Sequence, residues 1–350
     1  MKSKQQKQSF SSSVRHFAQI YEILRKITIF ALAKNRKNMN FSKNILYIAL
    51  LASAFCACKK EEATETRPNL SGLEFQTATA YLQIHQEHSF TLNVSSIKAS
   101  DSSTPGKIGV YIQINSDAKD TLTKDLGKDV KTLSFKYTPI ATGDYTIYAY
   151  AYADGYYSSS ASTVFKSVDP ETALTGIEGE RPSGEDYRTV SIPATSLEWM
   201  AENLYTKGSG ISYEGCTVMD SVFGRYYTYE EAVSACPAGW RLPTADEWDL
   251  LGSDALSLMA DASFMGTRLW KHYAGITVTN QFGFNAIPVG YTDLSTGTVN
   301  NTGIKEYAAF WTADSSEEFA QYRYLIGGNA AVQKAMGSKT SLALSVRCVR

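Results

Sequence analysis

Nothing in the chain reads as a membrane-spanning helix. Its apolar stretch Ile45–Phe55 runs only 11 residues, where about 20 are needed to cross the hydrocarbon core. Histidine is scarce, at four in 350 residues, and no HExxH, GxSxG or phosphate-loop spacing occurs. That removes the common sequence signatures of zinc proteases, serine hydrolases and nucleotide binding. Net positive charge is also missing. The 34 Lys+Arg and 35 Asp+Glu leave −1 overall, but ten of the basic groups precede residue 58 with a single acid, Glu22, so the remainder carries 24 basic against 34 acidic groups. An acidic body offers a polyphosphate no attraction, and nucleic acid is not an expected partner. What is present is 43% hydrophobic residues, too many for a disordered chain, over a length that predicts about two domains.

The short apolar stretch follows Lys43 and ends in LLASAFCACKKEE (50–62). Its length and flanks match the core of an export signal. The sequence resembles a bacterial lipoprotein signal with a relaxed lipobox, in which Ala57 is the small residue before the modified cysteine, so Cys58 is the expected acylated N-terminus. The alternative is an ordinary signal peptide without lipid. Met39 opens a more natural signal than Met1, so translation is expected to start at Met39, with residues 1–38 an extension that is not part of the protein and 39–57 the signal peptide. A true anchor over Ile20–Ala33 is disfavoured because Glu22, Arg25 and Lys26 interrupt it. The charged CKKEE resembles the export tag of Bacteroidetes-type surface lipoproteins, which implies a lipid-anchored outer-membrane protein exposed at the cell surface.

Residues 58–71 are polar and aperiodic, the composition of a flexible tether. Alternation then sets in: Phe90, Leu92, Val94; Val110, Ile112, Ile114; Leu133, Phe135, Tyr137; Tyr145, Ile147, Ala149, Ala151. Turn segments 101–107, 115–120, 141–144 and 153–155 separate the runs. Short strands at this spacing over 72–168 predict an all-β sandwich. TGDYTIYAYAYADGYY (142–157) resembles the penultimate strand of immunoglobulin-like domains, where a tyrosine folds its hydroxyl back on the corner; Tyr145 holds that place. The domain has no cysteine, so the antibody inter-sheet disulfide is absent. Tyr148, Tyr150, Tyr152, Tyr156 and Tyr157 read as half-buried strand packing, with a sugar-stacking face as the alternative. His85 and His88 lack a carboxylate or cysteine at ligand spacing and read as exposed strand residues.

Residues 169–186 combine Pro, Gly and acids as a linker does, and all five tryptophans lie beyond it. Two capping boxes follow. Thr228–Glu231 predicts a helix over 230–236 that Pro237 and Gly239 end, and Thr244–Glu247 predicts a second, with Trp248, Leu250 and Leu251 as its apolar side. Gly-rich strands at 282–291, 308–313, 322–328 and 342–349 complete an α+β domain.

WMAENL (199–204), GRYYTYEEAVSACPAGWRLPTADEWDLL (224–251), GFNAIPVGY (283–291), FWTA (310–313) and SVRCVR (345–350) are similar, in order, to the motifs of the Fibrobacter succinogenes major paralogous domain. The resemblance covers 187–350 and implies a C-type-lectin-like fold shared with formylglycine-generating enzymes. The expected fold class is therefore multi-domain: an all-β immunoglobulin-like sandwich followed by an α+β C-type-lectin-like domain. The family pattern also implies a Cys236–Cys348 disulfide. Closing a loop of that length stabilises by about 4.7 kcal/mol on the chain-entropy model. Cys216 is then a free buried thiol, with pairing to Cys236 the alternative.

A disulfide between Cys236 and Cys348 leaves no reactive pair for oxidase chemistry, and the Glu-Pro-Asn and Trp-Asn-Asp triplets of calcium lectins are missing. No catalytic residue, metal or cofactor is expected. Metal-free recognition would fall to Trp270, Tyr273 and Tyr291, with Asp293 or Asn285 as polar partners, each of which also reads as core or turn. Arg241 reads as a structural cation satisfying buried carbonyls. The expectation is a non-enzymatic surface lipoprotein whose second domain binds an extracellular glycan or protein. The alternative is a structural or assembly component of a surface complex.

Overall fold

The computed structural model describes residues 67–350 apart from 77–78, 116, 127–129, 185 and 207, and the backbone alone of 117–126. The signal segment and Cys58 lie outside the described residues. Among the described residues no helix is long and apolar enough to cross a membrane, and β-structure predominates.

The first domain contains β1 (Leu70–Ser71), β2 (Glu74–Phe75), β3 (Tyr81–Gln83), β4 (His88–Asn93), β5 (Lys98–Ala99), β6 (Ile108–Ile114), β7 (Asp117–Leu126), β8 (Thr132–Tyr137), β9 (Gly143–Tyr152) and β10 (Ser159–Val168). A three-stranded sheet in the order β2-β4-β8 faces a five-stranded one in the order β3-β10-β9-β6-β7, with β1 and β5 paired beside them. All pairings are antiparallel except β3 with β10. Side chains alternate across each strand, so Leu92, Val110, Ile112, Ile147, Ala149 and Ala151 are fully buried between the sheets. The Tyr145 hydroxyl donates to the Ala141 carbonyl at 3.1 Å and its ring stacks on Phe165 at 5.0 Å. This is the corner expected from the sequence. The expected turn over 115–120 is shorter than its composition suggests. Asn115, at φ 49°, makes the reversal, and the chain re-enters the sheet at Asp117.

Segment 169–186 runs along the second domain. Leu174–Thr175 pairs with Ser263–Phe264, and Glu178 exchanges hydrogen bonds with the Asn285 side chain. Both capping boxes form, opening helices Tyr229–Ala235 and Ala245–Leu250. Each threonine accepts from the third helical N–H while the glutamate returns to the cap's own N–H. Behind them stand a five-stranded sheet (Ile211–Ser212, Arg225–Thr228, Leu342–Leu344, Tyr291–Asp293, Asn300–Thr302) and a three-stranded meander (Tyr307–Ser315, Phe319–Ile326, Gln333–Ser338). The first and last segments of the domain are bonded side by side, through Met200 N–H to Cys348 O and Arg350 N–H to Glu198 O.

The core of this domain is aromatic and also cationic. Trp199, Trp248, Phe284 and Phe310 pack mutually at 5.2–5.9 Å. Against Phe284 lies the guanidinium of Arg347, 1% exposed. It donates to the carbonyls of Met200, Phe284 and Asn285 and to Asn203 Oδ1 at 2.6–3.0 Å. Arg347 therefore takes most of the role expected of Arg241, which reaches one such carbonyl, that of buried Leu242 at 3.3 Å. Arg241 itself is half-exposed and forms a bidentate pair with Glu247 at 2.5 and 2.8 Å. Arg347 follows the last strand, Leu342–Leu344, where the chain runs past Met200, Phe284 and Asn285 and its guanidinium satisfies their carbonyls.

Candidate functional site

The meander and the five-stranded sheet meet at a groove of about 270 Å3 lined by Tyr291, Tyr307, Tyr322, Tyr324, Ala309, Leu342 and Leu344. Its origin is local. Tyr322 and Tyr324 stand two apart on Phe319–Ile326 and so share a face. Their cross-strand partners are Trp311 and Ala309 on one side and Ala335 and Gln333 on the other. Small Ala309 and Ala335 leave the two rings proud of the sheet. Tyr291, at the start of its strand, supplies the opposite wall. Tyr307 closes one end, lying across Gly303, where any side chain would collide with its ring.

The four rings form a chain: Tyr291 to Tyr307 at 6.5 Å, Tyr307 to Tyr324 at 6.4 Å and Tyr324 to Tyr322 at 5.6 Å. All four are half-buried. Burial and the neighbouring phenols push the Tyr322 hydroxyl above its ordinary pKa, so it remains a neutral donor and acceptor at any physiological pH. No charged side chain lines the groove. It offers flat apolar rings edged with hydroxyls and nothing for an ionic ligand to pair with.

Of the residues nominated from sequence, only Tyr291 lies in this groove. Trp270 is a correction: it is 2% exposed, in the core beside Leu325, with its indole N–H donated to Ala286 O at 3.2 Å. A ligand could stack on it only by opening that core. Tyr273 packs against Gly327 and Gly328 and does not line the groove. A hydrogen bond from the Ser295 side chain, then one from its N–H at 2.8 Å, holds the Asp293 carboxyl below the usual range, as a turn cap. Asn285 is 2% exposed and bonds Glu178 and Asn280. Tyr307, Tyr322 and Tyr324 were not singled out. The Y-x-Y spacing at 322–324 is their only sequence signal, and it names a shared face without telling whether that face is covered.

A second, more polar cleft of about 800 Å3 lies where the sandwich meets the second domain, lined by residues including His88, Cys216, Asp220 and Arg225. Tyr81 anchors this junction, edge-on to Tyr213 and Phe264 at 5.8 and 6.0 Å. The groups in the cleft do not form a nucleophile and base. Cys216 is a free, buried thiol whose pKa is pushed up by desolvation, the reverse of what activates a thiolate. His88 Nε2 is bonded to Gln83 O at 2.8 Å. Asp220 is raised by burial and lies 3.7 Å from Arg225. Cys236 and Cys348 are bonded to each other, with Cα atoms 5.9 Å apart. Among the described residues no group of three or more His, Cys, Asp or Glu is placed to hold a metal ion.

Residues 192–350 match the Fibrobacter succinogenes major domain. The matched segment begins on the first hairpin of the second domain and contains all of the tyrosine groove. No curated protein is significantly similar to the chain. Similar solved structures include a CARDB domain from Pyrococcus furiosus, 18% identical over 32% of this chain and 100% of that one, TM-score 0.23. The sulfur carrier SoxY from Chlorobium limicola is 14% identical over 35% and 99%, TM-score 0.22. The adhesin InvE of Yersinia pseudotuberculosis is 12% identical over 80% and 70%, TM-score 0.22.

Proposed function

We propose that this is a non-enzymatic lipoprotein of the outer membrane, acylated at Cys58, whose sandwich spaces a C-type-lectin-like domain from the membrane, and that this domain binds an extracellular glycan in the Tyr291–Tyr307–Tyr322–Tyr324 groove. The anchor rests on the signal sequence and the lipobox-like ASAFCAC. The lectin-like fold is supported by the short capped helices, the paired first and last segments and the disulfide to the closing segment. The observation that carries the binding reading is the uncharged groove of four tyrosines. A tyrosine ring is apolar on its face and polar at its tip, as a sugar is apolar on its C–H face and polar at its hydroxyls. Absence of charge favours a neutral glycan over a charged protein segment.

The test is binding of the lipid-free chain from residue 59 to a polysaccharide and mucin panel, with Tyr324→Ala as the probe. A ligand whose Kd rises by about tenfold or more in the variant supports the groove. Silence across the panel would instead favour a structural or assembly component. Palmitate labelling that persists in Cys58→Ser would overturn the anchor.

A further inference from the structure

The outer face of the five-stranded sheet in the first domain carries a second aromatic surface that the tyrosine groove does not include. Strand β9 buries Tyr145, Ile147, Ala149 and Ala151 and turns Tyr148, Tyr150 and Tyr152 outward. The three span about 13 Å along the strand at roughly 3.3 Å per residue. Tyr148 and Tyr150 are nearly coplanar in orientation, 19° apart with centroids at 6.4 Å. Tyr111 on β6 lies directly across from Tyr150, its ring 6.1 Å away. Tyr152 stands opposite Gly109, and its ring occupies the place a side chain there would need. Glycine in the middle of a strand is otherwise a cost; here it lets the last ring lie down on the sheet while remaining 39% exposed. On the other flank Ser160 and Ser162 of β10 face Tyr150 and Tyr148. The rings are thus bordered by small hydroxyls on one side and by Gln113 beyond Tyr111 on the other.

We infer that this face is a second binding surface, a platform for a linear, uncharged polysaccharide. Three observations select the occupant. The platform is flat, with no groove walls to grip a polyproline helix or enclose a single sugar, so affinity must accumulate over several units in line. Among its described side chains the ionic groups are Lys166 and Asp144, which pair with each other at one end, and the residue in register with Gly109 on β7 is Asp125, so a polyanion finds no attraction on this face. The apolar ring faces alternate with hydroxyl and amide groups at their edges, matching the amphipathic faces of pyranose units.

The experiment uses the lipid-free chain from residue 59 carrying Tyr322→Ala and Tyr324→Ala, so that the groove of the second domain does not contribute. Migration is followed by native affinity electrophoresis through gels containing a neutral β-glucan, xylan or mannan, or polygalacturonate. At least one neutral polymer is expected to retard the protein and the acidic one to leave it unchanged. Tyr148→Thr with Tyr150→Thr, which keeps strand-favouring residues at both positions, should weaken retardation by about tenfold or more. Tyr150→Phe, which keeps the ring, should change it by less than about threefold. Far-UV circular dichroism and the melting temperature confirm the fold of each variant. Retardation by no neutral polymer, equal retardation by polygalacturonate, or retardation indifferent to the Thr pair overturns the inference. So does a concentration-dependent dimer abolished by the Thr pair, which would assign the face to a second copy of the chain.

Discussion

The two domains solve the same problem with different means. The sandwich is held by repetition: each strand contributes every second side chain to one apolar layer, and no covalent link or buried ion is present among its described residues. The second domain has short helices, irregular loops and long regular strands only in the meander over 307–338, so period-2 burial alone does not organise it. It is organised by a few long-range polar and covalent ties, chiefly Arg347, which bonds backbone from 200 to 285, and the Cys236–Cys348 link. Regular structure spreads stability over many equivalent contacts. Irregular structure concentrates it in single residues, and loss of one of them is felt across the whole domain.

The sharpest way to break this contrast is Arg347→Met. The substitution keeps an unbranched chain but strands three carbonyls and the Asn203 amide oxygen, each unpaired buried acceptor costing about 1–3 kcal/mol. We expect the second domain to lose about 4 kcal/mol or more, and Arg347→Lys to fail nearly as badly because an ammonium cannot span the same fork of acceptors. All five tryptophans belong to this domain and none to residues 72–168, so tryptophan fluorescence in a urea titration reports on it alone. An unshifted tryptophan transition would show that the cation is not a keystone. Next in size is removal of the disulfide by Cys236→Ser with Cys348→Ser, expected to cost about 2–5 kcal/mol. Tyrosine-region circular dichroism should show the sandwich transition unmoved in both cases; coincident loss of both domains would mean that the Tyr81 junction couples them.

The same contrast explains what could be read in advance. Phe90, Leu92, Val110, Ile112, Ile147 and Ala149 declare the sandwich because alternation is a local property. Strand β10 does not, since Ser159, Ser162, Ser167 and Lys166 dilute its pattern; its inward residues are recognisable only once β9 lies beside it. Thr228 and Thr244 were legible for the same reason as the alternation: a capping box lies within four residues. Arg347 was not, because nothing local separates a cation that will gather carbonyls from residues 200, 284 and 285 from one such as Arg241 that will pair at the surface. The groove fell between these cases. The sequence singles out Tyr291 and marks 322–328 as a strand, but the meeting of Tyr291 with Tyr322 and Tyr324 depends on two sheets that come together only in the fold. Trp270 is open to both a core and a ligand reading because a tryptophan carries no mark of whether its burial is complete, and the core reading is the one that holds.

The smallest expected effect concerns one of the two capping boxes by which the second domain relies on local rather than long-range order, the cap of helix Ala245–Leu250. The Arg241 guanidinium, then the hydrogen bonds from Thr244, hold the Glu247 carboxyl below its ordinary value of 4.5. A carboxylate whose folded pKa is depressed contributes stability that is fully present above the unfolded value and is lost as pH falls through the folded one. The tryptophan-detected stability should therefore decline more steeply below about pH 4.5 in the parent than in Glu247→Gln, which keeps a capping acceptor but cannot titrate. At pH 7 the variant should be less stable by only about 0.5–1 kcal/mol, since Arg241 is half-exposed and its pair is screened. Equal acid slopes for the two proteins would show that the cap contributes through its geometry and not through its charge.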